Sequence, residues 1–145
     1  MIMRVTARLG KRIGHVPAQV LPPASNPFTD WSAHVFPAGR TQYIIIANTV
    51  SLYSVLMHGE GVTDNSVFLK RAMASLLDTL RSDGFGFIFE RLIAPDAFKV
   101  FLSKSLNRSV TGSMGDLVYQ AKCCFGRESI TPFEMSFRLN GTPLS

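Results

Sequence analysis

Cysteine is scarce in this 145-residue chain, and the two cysteines present, Cys123 and Cys124, are adjacent. Neighbouring cysteines do not easily bridge each other, and two thiols cannot build the disulfide framework of a small secreted domain. They also lack the ligand spacing of a structural zinc site. We therefore interpret both as small buried or half-buried thiols near a helix end, and we expect a reducing, cytoplasmic location.

Long apolar runs are also missing. The longest candidate, residues 43–47, is far too short to cross a bilayer. The first residues (MIMRVTARLGKRIG) lack the apolar segment of a signal peptide. From these two absences we expect no contact with a membrane.

Several signatures of catalysis are lacking. The chain has no Gly-x-x-x-x-Gly-Lys phosphate loop, no nucleophile elbow and no HExxH motif, and its three histidines show no close metal pairing. We expect neither a metal nor a cofactor. His34 could form an acid–base set with Arg40, Glu60 or Glu90 only if the fold brings these residues together. Whether the chain is an enzyme stays open, with a non-enzymatic role favoured.

Hydrophobic residues are plentiful: they make up 46% of the chain and include eleven Phe. This fraction is too high for a disordered chain, and 145 residues is a usual length for one domain with its own core. We therefore expect a single domain over residues 1–145, with aromatic side chains prominent in its core.

Alternating hydrophobic residues predict an antiparallel β-meander of three strands, at residues 31–37, 41–47 and 50–57. Residues 2–6 and 98–103 also fit strands. Residues 85–93 fit a strand or a helix, because Phe85, Phe87 and Phe89 alternate while Ile88 and Leu92 keep a helical spacing.

Helical periodicity predicts two main helices, at residues 64–82 and 109–124. Shorter helices are expected at residues 4–14 and 132–139, the second opened by a capping box of Thr131 and Glu134. The expected fold class is therefore α+β, with the meander packed against the two main helices and short helices near the N and C termini.

Positive charge is concentrated near the N terminus. The chain carries a net charge of +5, and most of the excess lies in residues 1–40, where Asp30 is the one acidic residue. The basic residues of this segment are Arg4, Arg8, Lys11, Arg12 and Arg40. They predict a basic face that contacts nucleic acid or an acidic protein, and the alternative interpretation is an ordinary solvated surface.

A second candidate site lies where the helix predicted at 109–124 begins. Small polar groups that could hold a phosphate or carboxylate gather there: Asn107, Arg108, Ser109, Thr111 and Ser113. The alternative is that these groups only cap the helix, with Gly112 and Gly115 allowing it to pack closely.

Three functions are compatible with these patterns. The leading hypothesis is a non-enzymatic binding or regulatory protein that docks through the basic face or the Arg108 helix start. The second is a small enzyme that holds a phosphorylated or carboxylated substrate at Arg108. The third is a subunit of a homo-oligomer that associates through Phe85, Phe87 and Phe89, although a core location is favoured for these three.

One stretch, NRSVTGSMGD at residues 107–116, resembles a motif of a family of small bacterial proteins of unknown function that is also found in phage and plasmid settings. The resemblance covers most of the chain. Its other marks are Asp30-Trp31, residues 40–43, residues 89–91 before Ala94-Pro95, and residues 137–140 with Pro143. It implies no activity and no catalytic residue. Members of this family tend to continue past Pro143, so we expect that the end at Ser145 is slightly short.

Overall fold

The computed structural model describes residues 1–141 of the chain. The strands are β1 (Ile2–Val5), β2 (Asp30–Ala38), β3 (Thr41–Asn48), β4 (Ser54–His58) and β5 (Phe101–Ser103). The helices are α1 (Ala7–Arg12), α2 (Asn65–Ser82), α3 (Gly86–Ile88), α4 (Arg108–Arg127) and α5 (Pro132–Gly141). Pro143 and the predicted shortness of the end at Ser145 lie outside these described residues.

The five strands form one sheet in the order β4-β3-β2-β1-β5. Strands β2, β3 and β4 are the predicted antiparallel meander, and Trp31 of β2 pairs with Asn48 of β3. β1 runs parallel to both β2 and β5, so the sheet is mixed and not wholly antiparallel. The reason is that α1 and the following connector form a crossover long enough to place β1 and β2 in the same direction. The α+β class is confirmed.

One face of the sheet is covered by α2, as predicted. Trp31, Ala33 and Val35 of β2 and Ile44 and Ile46 of β3 point to this face. On α2 the buried hydrophobic residues of the same cluster are Phe68, Ala72, Leu76 and Leu80. Leu9 and Ile13, at the helical turn of α1, join this cluster.

The opposite face is covered by α4 and α5. Residues that alternate with the first set, including Phe36, Tyr43 and Ile45, point to this side. The helices contribute Met114, Leu117, Val118, Ala121, Met135 and Leu139. The structure therefore has three layers, with the meander between α2 on one face and α4 and α5 on the other.

Side chains of α5 cover part of the outer edge of β4. The Asn140 side chain accepts a hydrogen bond from the Ser54 N–H at 2.7 Å and donates to the Ser54 carbonyl at 2.8 Å. One turn earlier, the Ser136 hydroxyl accepts from the Leu56 N–H at 2.8 Å. An edge strand otherwise presents unpaired backbone groups, and here a helix satisfies three of them.

The third strand of the meander is shorter than predicted. Residues 49–51 form a turn, because the Asn48 side chain accepts hydrogen bonds from the backbone N–H groups of Val50 and Ser51. Leu52, which follows the turn, adopts a φ of 64°. Strand β4 therefore begins at Ser54. The predicted strand at 98–103 is likewise reduced to Phe101–Ser103.

The ambiguous segment 85–93 is helical, with α3 followed by a π-turn over Phe89–Ile93. Phe85 and Phe87 are 41% and 53% exposed, and Phe89 is half-buried. The favoured core location is therefore wrong for Phe85 and Phe87. A hydrophobic alternation predicts burial only where a facing layer exists, and these residues lie at the end of the α2 layer.

Helix ends follow the sequence closely. The Asp64 side chain accepts from the Val67 N–H at the start of α2, and Gly84 beyond its end adopts a φ of 83°. Thr131 and Glu134 form the predicted capping box of α5. Within residues 1–141, no helix is both long enough and apolar enough to span a bilayer.

Two glycines inside α4 are not needed for packing, contrary to expectation. A Cβ atom placed on Gly112 or Gly115 would meet nothing within 4 Å. We therefore predict that Gly112→Ala and Gly115→Ala each raise the free energy of unfolding by about 0.5–1 kcal/mol, because Gly loses more backbone entropy than Ala in a helix. Urea denaturation followed by circular dichroism measures this change.

Gly84→Ala is the control for that experiment. Its positive φ is strained for Ala, so the same substitution there should lower stability. A loss of stability in either α4 variant would contradict the prediction.

Candidate functional site

Arg4 does not belong to the exposed basic face that the sequence predicted. It lies on β1, is fully buried, and forms a salt bridge with Asp30 at 2.8 Å. All five of its N–H donors are used: two bond the Asp30 carboxylate, and the others bond the carbonyls of Leu21 and Pro22 and the hydroxyl of Ser103. Since no donor is left over, this guanidinium cannot also hold an external anion.

Asp30 is equally well satisfied. Besides Arg4, its carboxylate accepts hydrogen bonds from the Ala24 N–H and the Thr49 hydroxyl. Burial by itself would raise the pKa of Asp30, but these hydrogen bonds and the positive charge of Arg4 outweigh burial and hold the pKa below its ordinary value. The pair is therefore a structural element of the sheet.

The remaining cations of the predicted face are accessible at one end of the sheet. Arg8 and Lys11 are exposed on α1. Arg12 is half-buried because it donates to the carbonyls of Gly59 at 2.7 Å and Val62 at 3.1 Å. These acceptors are neutral, so the positive charge of Arg12 is not cancelled.

Arg40 lies at the same end. It is exposed in the turn between β2 and β3, two residues before Gln42. The Gly59 N–H donates a hydrogen bond to the Gln42 carbonyl, and the Gly59 carbonyl accepts one from Arg12. The β2–β3 turn and α1 are thus joined through the segment that follows β4.

His34 connects this surface to α4. Its Nδ1 lies 2.9 Å from the Thr6 hydroxyl. Burial lowers the pKa of His34, and the nearby charges of Arg8 and Lys122 lower it further, so the ring is mainly neutral at pH 7. No carboxylate among the described residues contributes to the shift in the His34 pKa. The predicted acid–base set of His34 with Glu60 or Glu90 therefore has no support from these interactions.

Lys122 is the residue that the sequence analysis missed. It lies on α4, is exposed, and is close enough to His34 to affect its pKa. It is separated from α1 by more than one hundred residues, so no local pattern could have assigned it to this site. We define the basic surface as Arg8, Lys11, Arg12, Arg40 and Lys122.

The charge of the basic surface is uncompensated by ion pairs. Across the part of the chain that the structure describes, two salt bridges occur: Arg4–Asp30, and Arg138–Glu128 at 2.6 Å. Neither involves a residue of the basic surface. Cations that lie at one end of the sheet without ion-pair partners raise the local positive potential and attract polyanions.

The second predicted site, at the start of α4, is spread over an exposed helix turn. Asn107 caps the helix by accepting from the Val110 N–H at 3.0 Å, and the Thr111 hydroxyl donates to the Asn107 carbonyl at 2.9 Å. Arg108 and Ser109 are exposed, and Ser113 is half-buried. Two of the five polar groups are thus engaged in forming the helix, and anion binding at this turn stays a prediction.

Groups that could hold a metal are not gathered in the described residues: no three His, Cys, Asp or Glu side chains come together there. Cys123 and Cys124 are half-buried free thiols on α4. This placement agrees with the sequence interpretation of both residues.

Comparison with known proteins gives one match. The model of a family described as "Domain of unknown function (DUF6933)" matches residues 2–145. No curated protein and no solved structure matches the chain.

The buried pair yields a stability prediction. Asp30→Asn should lower the free energy of unfolding at pH 7 by about 3–5 kcal/mol, because it leaves the Arg4 charge buried without its partner. Urea denaturation measures the loss. The control, Glu128→Gln, breaks the exposed pair with Arg138 and should change stability little.

The same variant tests the pH dependence. Because the pKa of Asp30 is lowered in the folded chain, its stabilisation is complete above the ordinary value of 3.8 and is lost as the pH falls through the folded value. The wild type should therefore lose stability on acidification below that point, and Asp30→Asn should lose less. Equal acid sensitivity of the two proteins would show that Asp30 is not the group responsible.

Proposed function

We propose that this chain, which belongs to the family described as a domain of unknown function (DUF6933), is a non-enzymatic binding protein that contacts nucleic acid through its basic surface. The observation that supports this proposal is the uncompensated charge of Arg8, Lys11, Arg12, Arg40 and Lys122. Three separate elements of the fold supply these cations to one end of the sheet.

A polyanion fits this arrangement better than a single small anion. The cations are spread over α1, the β2–β3 turn and α4, and most of their side chains are exposed. Nucleic acid presents closely spaced phosphates and gains affinity from each one that is neutralised. An enzyme site would instead need a nucleophile or a general base within reach of a bound substrate. His34 is a titratable group whose pKa responds to Arg8 and Lys122, and its hydrogen-bond partner is a threonine hydroxyl.

The alternative, a small enzyme with its substrate held at Arg108, has less support. The side chains of Asn107 and Thr111 are already used within the first turn of α4. A cytoplasmic location, a bacterial, phage or plasmid origin, and homo-oligomerisation through the exposed Phe85 and Phe87 stay predictions that accompany the proposal.

Salt-dependent binding is the central test. Fluorescence anisotropy with a labelled 20-base-pair DNA duplex and a labelled single-stranded RNA should detect binding at 50 mM salt. If the five cations each neutralise one phosphate, affinity for the duplex should fall about 500-fold between 50 and 200 mM salt. Undetectable binding of both probes at 50 mM salt would overturn the proposal.

Two variants of equal net charge locate the contact. Replacing Arg8, Lys11 and Lys122 by Gln should reduce the magnitude of the salt slope on duplex DNA by about 2.7, since three phosphate contacts are removed. The matched control replaces the exposed Lys70, Arg81 and Arg91 by Gln, outside the basic surface, and should leave the slope near that of the wild type. Equal effects of the two triple variants would mean that net charge, and not this surface, determines binding.

A further inference from the structure

The outer edge of β4 is closed by α5 along only part of its length. Hydrogen bonds from the Asn48 N–H to the Tyr53 carbonyl and from the Gly59 N–H to the Gln42 carbonyl show which backbone groups of this segment face β3. By alternation, the N–H and C=O groups of Ser54, Leu56 and His58 face outward. The outward groups of Ser54 and the N–H of Leu56 are bonded by Asn140 and Ser136.

Two outward groups of β4 remain, the Leu56 carbonyl and the His58 N–H. Among residues 1–141, neither has a hydrogen-bond partner. Both residues line a groove of about 510 Å³ between α2 and the start of α5. Ala74 and Ser75 line its α2 side and Phe133, 43% exposed, lines its α5 side. The groove is therefore a shaped surface that contains an unpaired stretch of strand.

We propose that this groove binds the C-terminal segment of another protein, which adds to β4 as a short parallel strand and places its terminal carboxylate at Arg71. The basic surface takes no part in this site, so this inference does not depend on the proposed nucleic-acid contact.

The direction of the added strand follows from the two unpaired groups. In a parallel pair, each bonded residue of the incoming strand lies opposite one residue of β4. Its N–H donates to the carbonyl of the β4 residue before that one, and its carbonyl accepts from the N–H of the β4 residue after it. A residue opposite Met57 would thus bond the Leu56 carbonyl and the His58 N–H. An antiparallel residue would need both groups of Leu56 or both of His58. Ser136 already bonds the Leu56 N–H, and Arg71 lies 3.3 Å from the His58 carbonyl.

Charge at the ends of the groove agrees with this direction. α2 runs opposite to β4: Arg71 contacts the carbonyls of His58 and Glu60, and Asp83 accepts from Tyr53, just before β4 begins. A parallel peptide therefore points its C terminus toward Arg71. The guanidinium of Arg71 donates to neutral carbonyls, and none of the salt bridges among the described residues includes it.

Asp78 lies seven residues along α2 from Arg71 and lines the same groove. Seven helical residues span about 10 Å, the length of about three strand residues. A peptide of three or four residues therefore fits between these two charges. The peptide side chain opposite Met57 would face Ala74 and Ser75. The peptide residues before and after it would face Phe133, so apolar side chains are favoured at those positions.

Nuclear magnetic resonance of the full chain tests the proposal. The probes are two pools of N-acetylated tetrapeptides with the same randomised positions, one ending in a free carboxylate and the other in a carboxamide. The carboxylate pool should shift the amide resonances of Leu56, Met57 and His58. The carboxamide pool should bind at least about 10-fold more weakly, because a charged hydrogen bond to Arg71 is lost.

Three variants make the result specific. Ala74→Trp fills the groove from an exposed position and should abolish the shifts, whereas Lys70→Trp, exposed one turn earlier and absent from the groove lining, should preserve them. Arg71→Gln should weaken the carboxylate pool about 10-fold and leave the carboxamide pool unchanged. Each spectrum also reports whether the variant is folded.

The proposal is overturned if neither pool shifts residues 56–58 of the wild type at millimolar concentration. It is also overturned if Ala74→Trp responds like the wild type, or if the two pools bind equally and Arg71→Gln has no effect.

Discussion

The guanidinium of Arg4 and the carboxylate of Asp30 join four parts of the chain in the sheet. Arg4 is on β1, Asp30 opens β2, and the bonds of Arg4 to Leu21, Pro22 and Ser103 add the connector and β5. A buried charge is tolerated only when its hydrogen-bonding capacity is met, so each of these segments depends on the others being in place. On the face covered by α4 and α5, β1 and β5 add no residue to the hydrophobic cluster, and the polar contacts of Arg4 take its place there. On the opposite face, Met3 and Val5 of β1 pack in the cluster under α2.

Local patterns were sufficient for much of this fold. The residues TQYIIIA at 41–47 predicted β3 almost at its observed bounds, because β-branched side chains favour strands and the turns on both sides are short. The helices α2, α4 and α5 followed from 3.6-residue periodicity and from capping groups such as Asp64 and Thr131. In each case the information lies within one element.

Long-range pairing could not be obtained in the same way. Arg4 shares a spacing of four residues with Arg8 and Arg12, which placed it on a helix, but β1 pairs with β2 and β5 from distant parts of the chain and includes Arg4 in the sheet. Lys122 was missed for the same reason, since its position near His34 is a consequence of how α4 packs. The sequence predicted which residues are basic, and only the fold determined which of them are accessible.

The closure of β4 by α5 has a consequence for biosynthesis. More than seventy residues separate the end of β4 from the start of α5, so a ribosome completes the meander well before Ser136 and Asn140 emerge. During that interval the nascent chain carries a bare strand edge, which invites exchange of strands between neighbouring chains on the same messenger. Slow translation of α5, or its loss by proteolysis, would prolong this vulnerable stage. The final turns of α5 therefore cover these β4 groups only after they have emerged.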